Sequence, residues 1–253
     1  MKVALLQHDV RWEDRDATLA HLNPMVVEAA GNGARLIVLS ELFAVGFTLA
    51  TDVVGEPEDG PTATWLHAMA VATGAWLCGS VPEVAPGDDR PGNTFVLAGP
   101  DGSIHRYSKR CLFAYHHEDD HYRAGHDVVT FDIDGLRVTP FVCFDLRFAP
   151  QWWDAAPATD CYLLVASWPA ARRNHWRTLI PARAVETQAW VVAVNRVGKG
   201  GDGDHAGDSM VVDPWGEVVV DGEGRGETIL YAEVDPARTH QVRADYPFVD
   251  GRS

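Results

Sequence analysis

Short runs of β-branched and apolar residues alternate along this chain with longer stretches whose apolar positions recur at helical spacing. The short runs predict strands at residues 3–7, 35–39, 75–81, 94–98, 128–133, 137–142, 161–166, 191–195, 210–213, 217–220 and 228–233. The longer stretches predict helices at 15–30, 62–73, 150–155 and 181–189. Pro100-Asp101-Gly102, Asp134-Gly135, Pro214-Trp215-Gly216 and Asp221-Gly222 each separate strand-like runs and predict antiparallel hairpins. Hairpins beside strand–helix alternation imply an α/β fold with mixed sheets. No internal repeat and no Pro/Gly linker divides the sequence, so one domain is expected over residues 1–253. Residues 111–127 show neither periodicity and are rich in His and acidic groups. They are expected to form a long ordered loop, a feature that in compact domains is usually functional or mobile.

Composition narrows the choice of partner. With 21 basic and 36 acidic side chains in 253 residues the formal net charge is -15, which repels phosphate backbones and anionic lipid. Nucleic acid and membrane are therefore not expected partners. The apolar run after Met1-Lys2 ends at Gln7-His8-Asp9, too short for a signal peptide, and no stretch approaches the roughly 20 residues that span a bilayer. The expected location is the cytoplasm. Cys78, Cys111, Cys143 and Cys161 are widely spaced and lack a C-x-x-C arrangement, so they are expected to be free thiols.

Three side chains could carry acyl-transfer chemistry. Cys143 follows the apolar run 137–142 where the strand period breaks, which places a thiol at a strand-to-helix elbow beside backbone N–H groups. Cys78 and Cys161 lie inside strand-like runs and read as small buried hydrophobes. Glu41 stands just beyond the predicted strand 35–39, half-buried at a carboxyl end, where open α/β sheets place their sites. Lys109 is one of only three lysines in a chain that otherwise uses Arg, and it offers a compact point charge that a guanidinium cannot mimic. A nucleophile, a base and an oxyanion-stabilising cation are the groups that thiol-based acyl transfer requires.

Leu39-Ser40-Glu41-Leu42-Phe43, Tyr107-Ser108-Lys109-Arg110-Cys111-Leu112-Phe113 and Val142-Cys143-Phe144-Asp145-Leu146-Arg147-Phe148 resemble, in order and spacing, the three signature blocks of the nitrilase superfamily of carbon–nitrogen hydrolases. The similarity continues through Ala166-Ser167-Trp168-Pro169-Ala170, residues 175–179 and 182–189, Asn195-Arg196-Val197-Gly198 and Gly207-Asp208-Ser209, and it points to the omega-amidase branch. The resemblance implies a four-layer αββα sandwich with two mixed β-sheets, commonly dimerised, and no cofactor. It makes Glu41 the general base, Lys109 the oxyanion lysine, Cys143 the nucleophile and Glu118 a second glutamate that positions the lysine and substrate. The backbone N–H of Phe144 becomes a second oxyanion donor, while Phe144, Arg147 and Trp168 are expected against the substrate.

Rival readings rest on other residues. His116, His117, Glu118, Asp119, Asp120, His121 and His126 offer nitrogen and oxygen ligands that a metal hydrolase could use, but without H-e-x-x-H spacing or a Cys partner, so no metal is expected. A non-catalytic binding role is disfavoured by the intact Glu, Lys and Cys. Nitrile hydrolysis and N-carbamoyl cleavage use the same three groups, which do not separate them from amide hydrolysis. The expected substrate is a small linear amide of the 2-oxoglutaramate type. Arg147, four residues beyond the nucleophile, is expected either to pair with its free carboxylate or to form an internal salt bridge with Asp145 or a neighbouring acid.

Overall fold

The computed structural model describes residues 1–251. Its first six strands are β1 (Lys2–Gln7), β2 (Leu36–Val38), β3 (Glu56–Pro57), β4 (Trp76–Val84), β5 (Gly92–Ala98) and β6 (Ile104–Ser108). They join the last strand, β15 (Thr228–Glu233), in a sheet of order β15-β1-β2-β4-β5-β6, with β3 paired to the end of β4. β1, β2 and β4 run parallel, whereas β15, β5 and β6 pair antiparallel with their neighbours. The second sheet takes β7 (Phe131–Ile133), β8 (Leu136–Val142), β9 (Cys161–Ala166), β10 (Trp190–Asn195), β13 (Met210–Val212) and β14 (Val218–Asp221), in the order β14-β13-β10-β9-β8-β7. Its three central strands, β8 to β10, are parallel. Between β10 and β13 a separate hairpin is formed by β11 (Val197–Gly200) and β12 (Gly203–Ala206).

Alternation within the strands builds the layers. Along β1 and β2, Val3, Leu5, Leu36 and Val38 enter the core shared with the second sheet, while Ala4, Leu6 and Ile37 face a separate core against α1 (Arg15–Gly31) and α3 (Pro61–Thr73). Both faces are thus buried, which is why these strands read as unbroken apolar runs rather than alternating ones. On the far side α5 (Ala149–Ala155) and α6 (Arg173–Thr187) cover the second sheet, where Trp152 packs on Phe141 and Tyr162 with ring centroids 4.6 and 4.7 Å apart. The result is the expected α/β architecture with two large mixed sheets between helical layers.

Several expectations need correcting. Asp221-Gly222 is not a hairpin turn, because β14 pairs with β13 in the second sheet while β15 pairs with β1 in the first. The turn is a crossing between sheets, held where Gly222 donates to the Ser209 carbonyl and its own carbonyl accepts from Gln7. Residues 128–130 stay outside β7. α6 begins at Arg173 rather than at Pro181, which lies inside it. The Pro100-Asp101-Gly102 turn joins β5 to the polar strand β6 as the expected antiparallel hairpin, whereas the glycine-rich β11–β12 hairpin and α7 (Pro236–Asp245) were not predicted as elements. Within 111–127 the chain forms a 3₁₀ turn at Ala114–His116 and the short α4 (Glu118–His121), with α2 (Thr51–Val54) another such turn earlier. Among the described residues no helix is long and apolar enough to cross a membrane.

Candidate active site

The parallel strands aim their carboxyl ends in common directions, and three ends converge on one cavity. Glu41 follows β2 in a turn fixed where the Leu42 N–H donates to Ser80 Oγ at 2.8 Å. Leu42 itself adopts φ 43°, a left-handed conformation rare for a branched residue. Cys143 follows β8 at φ 45° and opens a 3₁₀ turn over Cys143–Arg147. Such a conformation costs of order 1–3 kcal/mol in a non-glycine residue and persists only where its surroundings enforce it. Asp145 supplies that enforcement: its buried carboxylate accepts from the Val142 N–H at 3.0 Å, the Tyr107 hydroxyl at 2.8 Å and the Cys111 N–H at 2.9 Å. One side chain therefore pins the Cys143 elbow to both ends of the segment that carries Lys109.

Lys109 follows β6 and is fully buried between two fully buried carboxylates. Its Nζ donates to Glu41 Oε1 at 2.9 Å and to Glu118 Oε1 and Oε2 at 2.8 and 2.9 Å. Glu41 was expected to be half-buried. Its complete burial is tolerable because its oxygens also accept from Asn93 Nδ2 at 2.8 Å and from the Ser167 N–H at 2.8 Å. Glu118 accepts in addition from the Phe113 N–H at 2.6 Å and Asn93 at 3.2 Å. Burial pushes the Glu118 carboxyl up, against the pull of Lys109. Burial would lower Lys109, but the charges of Glu118 and Glu41 outweigh it and hold the ammonium well above its usual range. Burial, aided by the Glu41 charge, likewise lifts the Cys143 thiol well above its usual range. The Cys143 thiol thus shares one cavity with the Glu41 carboxyl group and the Lys109 side chain.

The cavity above these groups has an empty volume of about 400 Å³, part of it open to solvent. Phe144, Arg147 and Trp168, the three residues expected against substrate, all line it. The Arg147 guanidinium stacks 4.8 Å over Trp168 and 5.8 Å from the Phe144 ring centre, and contacts His175 Nδ1 at 3.0 Å. The alternative salt bridge to Asp145 is absent, since that carboxylate is committed to Tyr107, Val142 and Cys111. Arg172, stacked 5.0 Å from Phe113, adds a second cation to the wall. Among the described residues neither arginine forms an ion pair. Burial, followed by repulsion from Arg172, lowers Arg147 from its usual value.

Cys78 and Cys161 lie buried in strands, as expected, and burial pushes the Cys111 thiol up to about 12. The His/Asp-rich segment is dispersed: Glu118 points inward to Lys109, while His117 and Asp120 pair with each other at the surface. Among the described residues no group of His, Cys, Asp or Glu is arranged to hold a metal ion. Sequence reasoning missed Asn93, Asp145, Arg172 and Asp202 as site residues. A polar Asn at the start of an apolar strand and an Asp two residues beyond an elbow Cys were the available signals. The positions of Arg172 and Asp202 depend on how the later segments fold over the cavity.

Two mixed sheets between helical layers, with Glu, Lys and Cys gathered at strand ends, define a class of α/β hydrolases acting on carbon–nitrogen bonds. Residues 2–244 match the carbon-nitrogen hydrolase family, and the chain belongs to it. It is 37% identical over 248 residues to the omega-amidase YafV of Escherichia coli strain K12, covering 98% of this chain and 94% of the relative. It is 32% identical to a 2-oxoglutaramate amidase of Bacillus subtilis, covering 98% and 96% respectively. Among solved structures, a CN-hydrolase superfamily protein from Xanthomonas campestris, crystallised with an arsenic adduct in its active site, superimposes with a TM-score of 0.92 at 34% identity, covering 100% of this chain and 97% of the other.

Proposed function

We propose that this chain is an omega-amidase-type enzyme that hydrolyses the ω-amide of a short dicarboxylic acid monoamide, of the 2-oxoglutaramate type, to the acid and ammonia. The observation that carries this reading is a thiol, a carboxylate and an ammonium around one small cavity whose wall also holds two arginines that have no acidic partner among the described residues. Cys143 Sγ attacks the amide carbon as Glu41 takes its proton. Lys109 Nζ, with the Phe144 backbone N–H, stabilises the oxyanion. Glu41 then passes the proton to the nitrogen as the C–N bond breaks, which releases ammonia and leaves a thioester. Water, deprotonated by Glu41, attacks the thioester and frees the acid, and the thiolate recovers its proton. Glu118 holds Lys109 in place, and Arg147 pairs with the far carboxylate of the substrate.

The reading treats residues 1–253 as one domain acting in the cytoplasm as a homodimer, with no nucleic acid, membrane, metal or cofactor. Support for a second copy comes from the exposed cluster of Trp215, Tyr246 and Phe248. Sedimentation of the purified protein tests the dimer. The function is tested by ammonia release from a panel of amides and nitriles, alongside intact-protein mass spectrometry of a quenched reaction. An acyl adduct on the wild type, absent from Cys143→Ala, is expected. Activity confined to nitriles, or an adduct on Cys111, overturns the reading.

A further inference from the structure

The proposed triad explains how a C–N bond is cleaved but not why an amide is chosen over an ester or a nitrile, which offer the same electrophilic carbon. A primary amide differs in presenting N–H donors at the leaving group. A site that selects it needs an acceptor for those donors close to the base that protonates the nitrogen.

Asp202, at the turn between β11 and β12, meets that requirement. Its side chain is only 4% exposed, yet it lines the same cavity as Glu41, Lys109 and Cys143. Its two oxygens are in different situations. Oδ2 lies 3.2 Å from Ser167 Oγ and 3.2 Å from His205 Nε2, which is itself 3.2 Å from Ser167 Oγ. The three atoms form a triangle, and one proton arrangement satisfies it without lone pairs facing each other. In that arrangement His205 carries its proton on Nε2, and both His205 and Ser167 donate to Asp202 Oδ2. Oδ1, by contrast, is buried with no hydrogen-bond partner among the described residues. Arg196 Nη1, also without a hydrogen-bond partner among the described residues, stands 4.0 Å from it, close enough to balance its charge and too far to satisfy it.

Ser167 fixes which part of the substrate lies nearby. Its N–H donates to Glu41 Oε2, while its hydroxyl reaches Asp202. The Asp202 carboxylate is thus one residue removed from the group that delivers a proton to the leaving nitrogen. We infer that Asp202 Oδ1 accepts a hydrogen bond from the N–H₂ of the scissile amide, and so acts as the residue that selects primary amides over esters. This rests on the amidase reading above and adds to it the group that recognises the leaving nitrogen. As the C–N bond breaks and Glu41 transfers its proton, the released ammonia remains beside an acceptor on its way out of the cavity. An ester oxygen in the same place carries no hydrogen and meets the lone pairs of Oδ1 instead.

Asp202→Asn is an unusually direct test. Ser167 and His205 both donate toward the Oδ2 position, so the asparagine carbonyl must occupy it and the NH₂ group must replace Oδ1. An acceptor becomes a donor with no change of shape. For glutaramate, kcat/KM is expected to fall about 10- to 100-fold, the cost of opposing a buried donor with another donor. For monomethyl glutarate, the matching ester, kcat/KM is expected to hold within about threefold or to rise, so the amide-to-ester ratio collapses. Unchanged ester turnover also reports that the variant is folded. If Asp202→Asn does not fold, Asp202→Ala assayed the same way must still lower the amide-to-ester ratio. Equal losses on both substrates make Asp202 structural, and an unchanged ratio removes it from the site. Either result overturns the inference while leaving the amidase reading intact, which fails separately if the wild type releases no ammonia.

Discussion

Replacing Lys109 by Met keeps a long unbranched side chain but removes the cation that lies between two fully buried carboxylates. Glu41 and Glu118 would then face each other with only neutral donors, chiefly Asn93 and the N–H groups of Ser167 and Phe113. Breaking a buried ion pair by deleting one partner typically costs about 3–5 kcal/mol, because the remaining charge is uncompensated. For a chain of 253 residues the entropy of unfolding is about 0.5 kcal/mol/K, so this corresponds to a fall in Tm of roughly 6–10 °C at pH 8. The loss depends on pH with a defined sign. Burial already raises Glu118 in the wild type, and removing Lys109 takes away the charge that opposes this rise. A carboxyl whose folded pKa lies above its unfolded value loses stability as pH rises through the folded pKa and regains it as pH falls. Once one carboxyl is protonated it donates to the other, and the pair is no longer two charges. Calorimetry of wild type and Lys109→Met at pH 8 and pH 5 is therefore expected to show a difference in Tm at least halved at pH 5. A difference equal at both pH values, or larger at pH 5, would refute the account of the cluster as an over-charged triad held by Lys109.

Arg147→Met is expected to raise KM for a carboxylate-bearing amide about tenfold or more, roughly 1.4 kcal/mol, with little change in kcat/KM for a neutral amide of similar size. Equal effects on both substrates would make Arg147 a structural stacking partner of Trp168. Asp145→Ala strands three donors and releases the elbow, so a loss of about 3 kcal/mol or more in denaturant unfolding is expected, with a much lower kcat in whatever remains folded. Intact binding of that variant with unchanged kcat would show that the Cys143 conformation does not depend on it. The half-buried Cys143 thiol lies well above its usual pKa, so the thiolate fraction grows with pH, and inactivation by a neutral alkylating agent is expected to be still accelerating at pH 9. A plateau below pH 7 would mean a resting thiolate.

Most strands were legible because burial on both faces leaves continuous apolar runs, and Glu41 and Cys143 were legible because each follows such a run, whereas Lys109, beyond the polar β6, stood out only as one of three lysines. What sequence periodicity cannot carry is the choice of partner. Nothing local distinguishes Asp221-Gly222, a crossing between sheets, from Asp134-Gly135, a hairpin turn joining β7 and β8. Pro181 signalled a helix start, yet α6 continues through it with Trp176, Ile180 and Ala184 packed in the core on either side. α7 is mostly polar and shows no apolar stripe. Its start was readable from Asp235, whose side chain caps the Ala237 N–H at 2.9 Å, with Pro236 following. Burial of Glu41 was underestimated for a related reason, since its hydrogen-bond partners Asn93, Lys109 and Ser167 come from three other strand ends.

The crossing at Asp221-Gly222 also sets a timetable. It delivers β15 to the edge of the first sheet, where Leu5 pairs with Leu230 and Val3 with Ala232, residues from opposite ends of the sequence. During synthesis β1 leaves the ribosome before the strands it joins, and its outer edge stays unpaired until β15 has followed. Pairings this distant in sequence make folding slow and leave open strand edges able to pair with the wrong neighbour. Within this sheet, the apolar strand that is made earliest is thus the one exposed longest. A nascent chain stalled before residue 228 is the form of this protein in which chaperone binding and aggregation should be greatest.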